Sequence, residues 1–418
     1  MKHTTEKSRR FYVKLADAIA RTLVLRLLAH VRHAELVIVE GQERLRLGTL
    51  DPQRPLRAVV HVHSPSFYRV LLHGSVGLGE SYMDGLWDCT DLVALTRIAA
   101  LNVRALDDAR RVLAPLTIPF QRWLRWLARN TPRRSRRQVA AHYDLGNELF
   151  SLFLDPTMMY SCAIFEHPQA TLEEASLAKL QRVCAQLDLG PEDRVLEIGS
   201  GWGGFAVYAA EHHGCHVTTT TISREQHAYT SARVRALGLE DRVTVLLQDY
   251  RDRSEIGQHG RYDKLVSIEM IEAVGWQFLG TFLRRCSQLL RHDGAMLLQA
   301  IVIDDRAYHV EKAGKSFINT YIFPGGCLPS LQAISGALAR DTDLRQVELK
   351  DITPHYAETL ARWRERFLDG SERLHELGYD ERFRRLWNLY LSYCEGGFQE
   401  RSIGVAHLLF SKPSRYST

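Results

Sequence analysis

The sequence predicts a doubly wound α/β domain with a seven-stranded sheet, preceded by a smaller α+β domain. Two observations carry this. From His142 onward, apolar runs of strand length alternate with helix-period segments, the pattern that builds a mostly parallel sheet. One of those runs, Arg194 to Ile198, ends in a glycine-rich turn that opens a helix. Before residue 110 the alternation is absent, and a helix (Phe11 to His30) is followed by strand-like runs at Leu36 to Glu40, Ala58 to Val62 and Ser66 to Leu72.

The remaining elements follow in order. A helix is expected from Leu92 to about Leu101, then an arginine-rich stretch. The sheet is expected from Arg194–Ile198, His216–Ile222, Val243–Gln248, Tyr262–Glu269 and Ala295–Val302. Its helices are Phe205–His213, Arg224–Leu237 and Phe278–Leu290. Leu344–Ile352 and Gly404–Phe410 supply two last strands as an antiparallel pair at the edge. These elements divide the chain into an N-terminal domain (1–115), a basic amphipathic linker (116–138) and a catalytic domain (139–418).

At 418 residues and 45 % hydrophobic content, the chain can bury a large core. No run approaches the roughly 20 apolar residues of a membrane span; even Ala295 to Ile303 stops short. The start has no apolar leader pattern, because Lys14, Asp17 and Arg21 interrupt the first helix, so a cytoplasmic location is expected. Seven cysteines without CxxC spacing fit neither a disulfide framework nor a zinc site, and no metal is expected. The net charge of +5 is mild, so attraction to anionic partners depends on where the charges sit. Arg122, Arg125, Arg129, Arg133, Arg134, Arg136 and Arg137, interleaved with Trp123 and Trp126, suit anionic headgroups as well as a solvated linker. RNA is a competing partner for such a stretch, although no nucleic acid is expected.

The turn Gly199-Ser200-Gly201-Trp202-Gly203-Gly204 lets backbone approach a ligand closely. A dinucleotide site would favour an acidic residue closing the second strand. Here that strand closes with Thr219-Thr220-Thr221, and Gln226 follows; hydroxyl and amide groups there can serve a ribose. Glu197, two positions before the first glycine, suits the amino group of S-adenosylmethionine. Asp249 can accept from an adenine amine, and Tyr250 can stack on the base.

Five phrases give a resemblance over the whole chain. They are Tyr143-Asp144-Leu145-Gly146-Asn147, Met159-Tyr160-Ser161-Cys162-Ala163, the glycine loop, Ile268-Glu269-Met270-Ile271-Glu272-Ala273-Val274-Gly275, and Tyr321-Ile322-Phe323-Pro324-Gly325-Gly326-Cys327-Leu328-Pro329. Together they resemble the cyclopropane-fatty-acid synthases, including mycolic acid cyclopropane synthases. Tyr82-Met83-Asp84-Gly85 is similar to the extra domain of longer members.

The resemblance implies a Rossmann-like class I methyltransferase sheet and transfer of a methylene group from S-adenosylmethionine to the cis double bond of an unsaturated phospholipid. It also implies a bound bicarbonate ion that removes a proton after a carbocation forms. The bicarbonate contacts would be Cys162, Glu272, Gln299, Ile301 and Tyr356, with Gln299 where many bacterial members have histidine. Tyr160, Ser161, Gly199, Gly201 and Trp202 join Glu197, Thr221, Gln226, Asp249 and Tyr250 around the cofactor, and Phe317, Tyr321, Ile322 and Phe323 would line the acyl tunnel. Peripheral association with the inner face of the membrane is expected, and a homodimer is allowed for. The alternatives are a fatty-acyl methyltransferase giving a methylene- or methyl-branched chain, a headgroup or small-molecule methyltransferase, and a non-catalytic lipid-binding module.

Overall fold

The computed structural model describes residues 2–103, 105, 145–252, 256 and 261–413. The arginine-rich stretch 122–137, the linker 116–138 and Tyr143-Asp144 lie outside them. The chain forms two units. The first comprises Met1–Asp144, Lys315–Pro324 and Arg373–Ser402; the second comprises Leu145–Gly314, Gly325–Glu372 and Ile403–Thr418.

In the first unit, β1 (Ala34–Glu40) pairs antiparallel with β2 (Glu43–Thr49) and parallel with β3 (Arg57–Val62). The short β4 (Trp87–Cys89) completes the order β2-β1-β3-β4. The sequence reading passed over β2, an exposed edge strand carrying Arg44 and Arg46. Ser66 to Leu72, expected as a strand, is instead a helix, Ser66–Leu71. Its aromatic and β-branched content favours a strand, but Pro65 sets the backbone for a helix start and Phe67 and Tyr68 are both buried by helix packing.

The run expected along the acyl tunnel packs in this first unit. Gly79 leaves room for the ring of Phe317, since a Cβ there would lie 2.2 Å from Phe317 Cδ2. The Tyr321 hydroxyl donates to Glu80 at 2.6 Å, Ile322 is buried, and Phe323 is exposed.

The second unit is built on seven strands in the order β10-β11-β9-β8-β5-β6-β7. They are β5 (Arg194–Ile198), β6 (His216–Thr221), β7 (Val243–Leu247), β8 (Tyr262–Ile268), β9 (Leu290–Ile303), β10 (Arg345–Asp351) and β11 (Ile403–Ser411). Strands β5 to β9 run parallel; β11 is antiparallel to β9 and β10 to β11, at the edge as expected.

Alternate side chains of the central strands enter two cores. Leu196, Leu265 and Leu298 pack with Phe282, Leu283 and Ile334 on one face. Val195, Val266 and Leu297 pack with Leu180, Val183 and Phe205 on the other. Burial on both faces is why these strands read as continuous apolar runs.

Helix Leu172–Leu187, which carries Lys179 and Gln186, starts at a capping box: Thr171 accepts from the Glu174 amide, and Glu174 accepts from the Thr171 amide. The glycine loop and the segments after β6, β7 and β8 all fall at the carboxyl ends of parallel strands, where open α/β sheets bind ligands.

Leu298→Ala is expected to cost about 2–5 kcal/mol in denaturant unfolding, because a fully buried strand residue leaves a cavity between core layers. Val347→Ala, at a 57 % exposed position on edge strand β10, should stay within about 0.5 kcal/mol of wild type; equal losses would contradict this placement of the core.

Candidate active site

The glycine loop departs from β5 with Gly199, Gly201 and Gly203 at φ +99°, +49° and +82°. Gly203 is also sterically required, since a Cβ there would lie 2.7 Å from Thr230 Cγ2. The Gly199 and Ser200 amides donate to Thr220 O at 3.0 and 2.9 Å, tying the loop to β6.

Behind the loop Glu197 is buried and accepts from Thr219 Oγ1 at 2.6 Å. Burial pushes its carboxyl up to about 8, so an ammonium group beside it would restore the ionised form. Thr221 Oγ1 donates to Gln226 Oε1 at 2.9 Å, which joins the end of β6 to the following helix. Buried Trp202 donates to Asn147 Oδ1 at 2.7 Å and packs on Phe150. Tyr160 lies 5.2 Å, ring to ring, from both Phe150 and Trp363.

Two residues after β7 are less free than the sequence suggested. Asp249 is held by Arg251 through Nε at 2.9 Å and Nη2 at 2.5 Å. Tyr250 turns its ring edge-on to Phe282, against the core.

The residues assigned to bicarbonate converge on a carboxylate of the chain itself, Glu269. Oε1 of Glu269 accepts from the Cys162 amide at 2.8 Å and from Gln299 Nε2 at 2.7 Å. Oε2 accepts from the Tyr356 hydroxyl at 2.5 Å. The fourth expected contact, the Ile301 amide, donates at 2.5 Å to Glu272 Oε1 instead. These donors are therefore already engaged, and the site as built does not fit an additional bicarbonate.

Glu269 sits just past the end of β8 at φ +48°, a left-handed conformation that costs a non-glycine residue energy and is kept where surrounding structure over-determines it.

Charge balance sharpens the roles. Burial keeps Glu269 above its ordinary value, although the donors Tyr356, Cys162 and Gln299 and the Lys179 cation act against that rise. Glu272 is supported only by backbone amides, that of Ile301 and its own. Burial and the neighbouring Glu269 push it up to about 8, and its Oε2 is buried without a partner among the described residues. Lys179 is fully buried, donates to Ser161 Oγ at 2.8 Å and is brought down to about 8 by burial. The Cys162 thiol is raised well above its ordinary value, chiefly by burial, so the residue acts through its amide rather than as a nucleophile.

The sequence reading therefore missed Glu269, Lys179 and His407, whose ring lies 3.0 Å from Gln299. Glu269 stood in a quoted phrase, three residues before Glu272, and its acidity beside the end of a strand was the available signal.

Glu272→Gln should stabilise the cofactor-free protein increasingly as pH rises. The raised carboxyl gives wild type its full contribution below the ordinary value of 4.5 and loses it as pH climbs to about 8. The amide has nothing to ionise. The melting-temperature difference between variant and wild type should therefore grow from pH 5 to pH 8; a constant difference would show that Glu272 ionises normally.

Comparisons with known proteins establish the family. The model of the mycolic acid cyclopropane synthetase family matches residues 130–408. The chain is 38 % identical to a tuberculostearic acid methyltransferase of Mycobacterium tuberculosis, over 93 % of this chain and 90 % of the relative. It is 37 % identical to the cyclopropane-fatty-acyl-phospholipid synthase of Escherichia coli K12, over 85 % and 88 %. A solved cyclopropane synthase from Mycobacterium tuberculosis superposes with a TM-score of 0.59 at 30 % identity, over 68 % of this chain and 100 % of that one. A mycolic acid cyclopropane synthase solved with SAH and CTAB gives 0.60 at 30 %, over 66 % and 98 %. The chain belongs to the mycolic acid cyclopropane synthetase family, S-adenosylmethionine-dependent methyltransferases that act on lipids.

Proposed function

We propose that the enzyme methylates the double bond of an unsaturated phospholipid acyl chain, with Glu269 rather than bicarbonate as the base, and releases a methylene-branched chain. The observation that carries this is the set of three donors on the Glu269 carboxylate.

The residues of the glycine loop, Glu197, Thr221, Gln226, Trp202 and the segment from Tyr160 to Cys162 form the cofactor side of the site. S-adenosylmethionine supplies an electrophilic methyl group when bound there. Glu197 neutralises the ammonium of its amino acid part, and the Thr221–Gln226 pair serves the ribose. Asp249 and Tyr250 border the adenine, with Arg251 fixing the carboxylate.

An alkene is a weak nucleophile, so the chain's contribution is alignment and exclusion of water. Transfer of the methyl group to one alkene carbon would break its bond to the sulfonium sulfur, leaving a neutral thioether, and would put the positive charge on the neighbouring alkene carbon. The ionised Glu269 and the ring of Tyr356 stabilise that charge, and Glu269 takes the departing proton. If a proton leaves the new methyl group as its carbon bonds to the cationic centre, the ring closes. If a hydride first shifts to the cationic carbon, the charge moves to the more substituted methylated carbon, and loss of a methyl proton leaves a C=CH2 branch on the chain.

Gln299 in place of the family's usual histidine and Glu269 in place of bicarbonate depart together from the ring-forming constellation. The named tuberculostearic acid methyltransferase, similar over nearly the whole chain, supports the same reading.

Peripheral contact with the inner face of the membrane belongs to this proposal. No helix among the described residues is long and apolar enough to cross a bilayer. Trp276 and Phe278, just after Glu272, are nearly half exposed, and Lys312 lies 5.6 Å from the Trp276 ring, a pairing suited to a headgroup region.

Incubation with methyl-labelled cofactor and unsaturated phospholipid vesicles should place label in the acyl chain, with vinylic product protons in the NMR spectrum. High-field ring protons would overturn the branched product, and label in the headgroup would overturn the whole reading. Glu269→Gln should lower turnover by about two orders of magnitude or more while leaving cofactor affinity nearly unchanged. Glu269→Gly frees the three donors, so added bicarbonate or formate should restore activity to that variant, while wild type remains indifferent to bicarbonate.

A further inference from the structure

We infer that His407 is a positioning residue: held as the neutral Nε2–H tautomer, it fixes the Gln299 side chain so that its NH2 group faces Glu269. This rests on the reading of Glu269 as the base. His407 lies directly opposite Gln299 in the antiparallel β11–β9 ladder and is fully buried.

The chain of contacts determines the proton positions. Gln299 Nε2 donates to Glu269 Oε1 at 2.7 Å and to Cys162 O at 3.3 Å, which turns Gln299 Oε1 towards His407 Nε2 at 3.0 Å. An amide oxygen only accepts, so Nε2 must carry hydrogen. Burial, with the cations Lys179 and Arg182 from helix Leu172–Leu187 and Lys350 from β10, holds the ring down at about 3, so it has one proton to place.

Nδ1 must then accept. The atom facing it at 2.7 Å is the side-chain oxygen of Gln186, another acceptor, while Gln186 Nε2 is buried without a partner. The two ends of a glutamine amide have nearly the same shape. A half-turn of Gln186 gives Nδ1 its donor and removes the conflict at the oxygen.

The resulting sequence is directional. Gln186 donates to His407, His407 to Gln299, and Gln299 to Glu269. In the opposite tautomer Gln299 would turn its oxygen towards Glu269, leaving two acceptors 2.7 Å apart, which requires a protonated Glu269. The Nε2–H form thus selects the ionised carboxylate that can act as a base. The other titratable groups facing Glu269 are Lys179, Glu272, Tyr356 and Cys162.

The test compares His407→Leu, which has no donor, with His407→Gln, which carries an N–H at similar reach. The leucine variant should lose about tenfold in kcat and shift the acidic limb of the kcat/KM profile upward by about one pH unit. Without its Gln299 donor, Glu269 holds its proton to higher pH. KM for S-adenosylmethionine should not change, and the glutamine variant should recover most of the rate and the wild-type limb. A wild-type limb in the leucine variant, or equal loss in both variants, would overturn the inference.

Nitrogen-15 NMR of histidine-labelled wild type, with His407 assigned by difference from the glutamine variant, should show an Nε2–H ring that does not titrate between pH 5 and 8. An Nδ1–H ring or a titrating one would overturn the inference without involving activity. Full activity in Glu269→Gln would instead remove the base reading, whatever tautomer the spectrum shows.

Discussion

Everything in the second unit's site turns on how one buried carboxyl, Glu269, is supplied with hydrogen-bond donors against the burial that raises it. Removing a carboxylate from water is expensive, and the expense is tolerable only where several donors replace the lost hydration. Glu269 receives them from three separate stretches: the loop at Cys162, strand β9 at Gln299, and the helix Thr353–Asp369 at Tyr356. The site can therefore assemble only after the long-range pairing of the sheet is complete. The left-handed backbone at Glu269 is held by the same contacts.

The neighbouring charges make sense once Glu269 is treated as the fixed point. Lys179, buried and hydrogen-bonded to Ser161, is the cation that acts as a counter-ion for it. Glu272 and Glu197, without equivalent donors, are pushed towards their neutral forms until a ligand changes their surroundings. Burial raises all three carboxyls, and Glu269 differs in the three donors gathered on it, a difference set by environment rather than by residue type.

Much of this was readable in the sequence for a physical reason. Parallel strands covered on both faces leave continuous apolar runs, as at β5 and β9, and a glycine turn marks the end of β5, so these strands and the edge pair were recognisable. The charged edge strand β2 and the helix Ser66–Leu71 were not, because local composition pointed away from what packing imposed. At the site, Cys162, Gln299 and Tyr356 could be grouped by resemblance, but what they hold could not. That Glu269 fills the place given to bicarbonate depends on a backbone angle and on contacts spanning from 30 to 107 positions in the sequence. Similarly, nothing local ties His407 to Gln299; only the register of two antiparallel strands does.

The interleaved route of the chain has its own consequence for protein engineering and for descent. Since Lys315–Pro324 and Arg373–Ser402 belong with the N-terminal residues, no single cut yields two self-sufficient halves. A fragment beginning at residue 145 would still carry helix Glu381–Gln399 but would lack the residues with which Ser392 and Gly396 pack around Thr96. Its greasy side, with Trp387, Tyr390 and Phe398, would be left bare to solvent and prone to clumping. An ancestor gaining or losing the leading segment would have had to remodel both excursions at the same time.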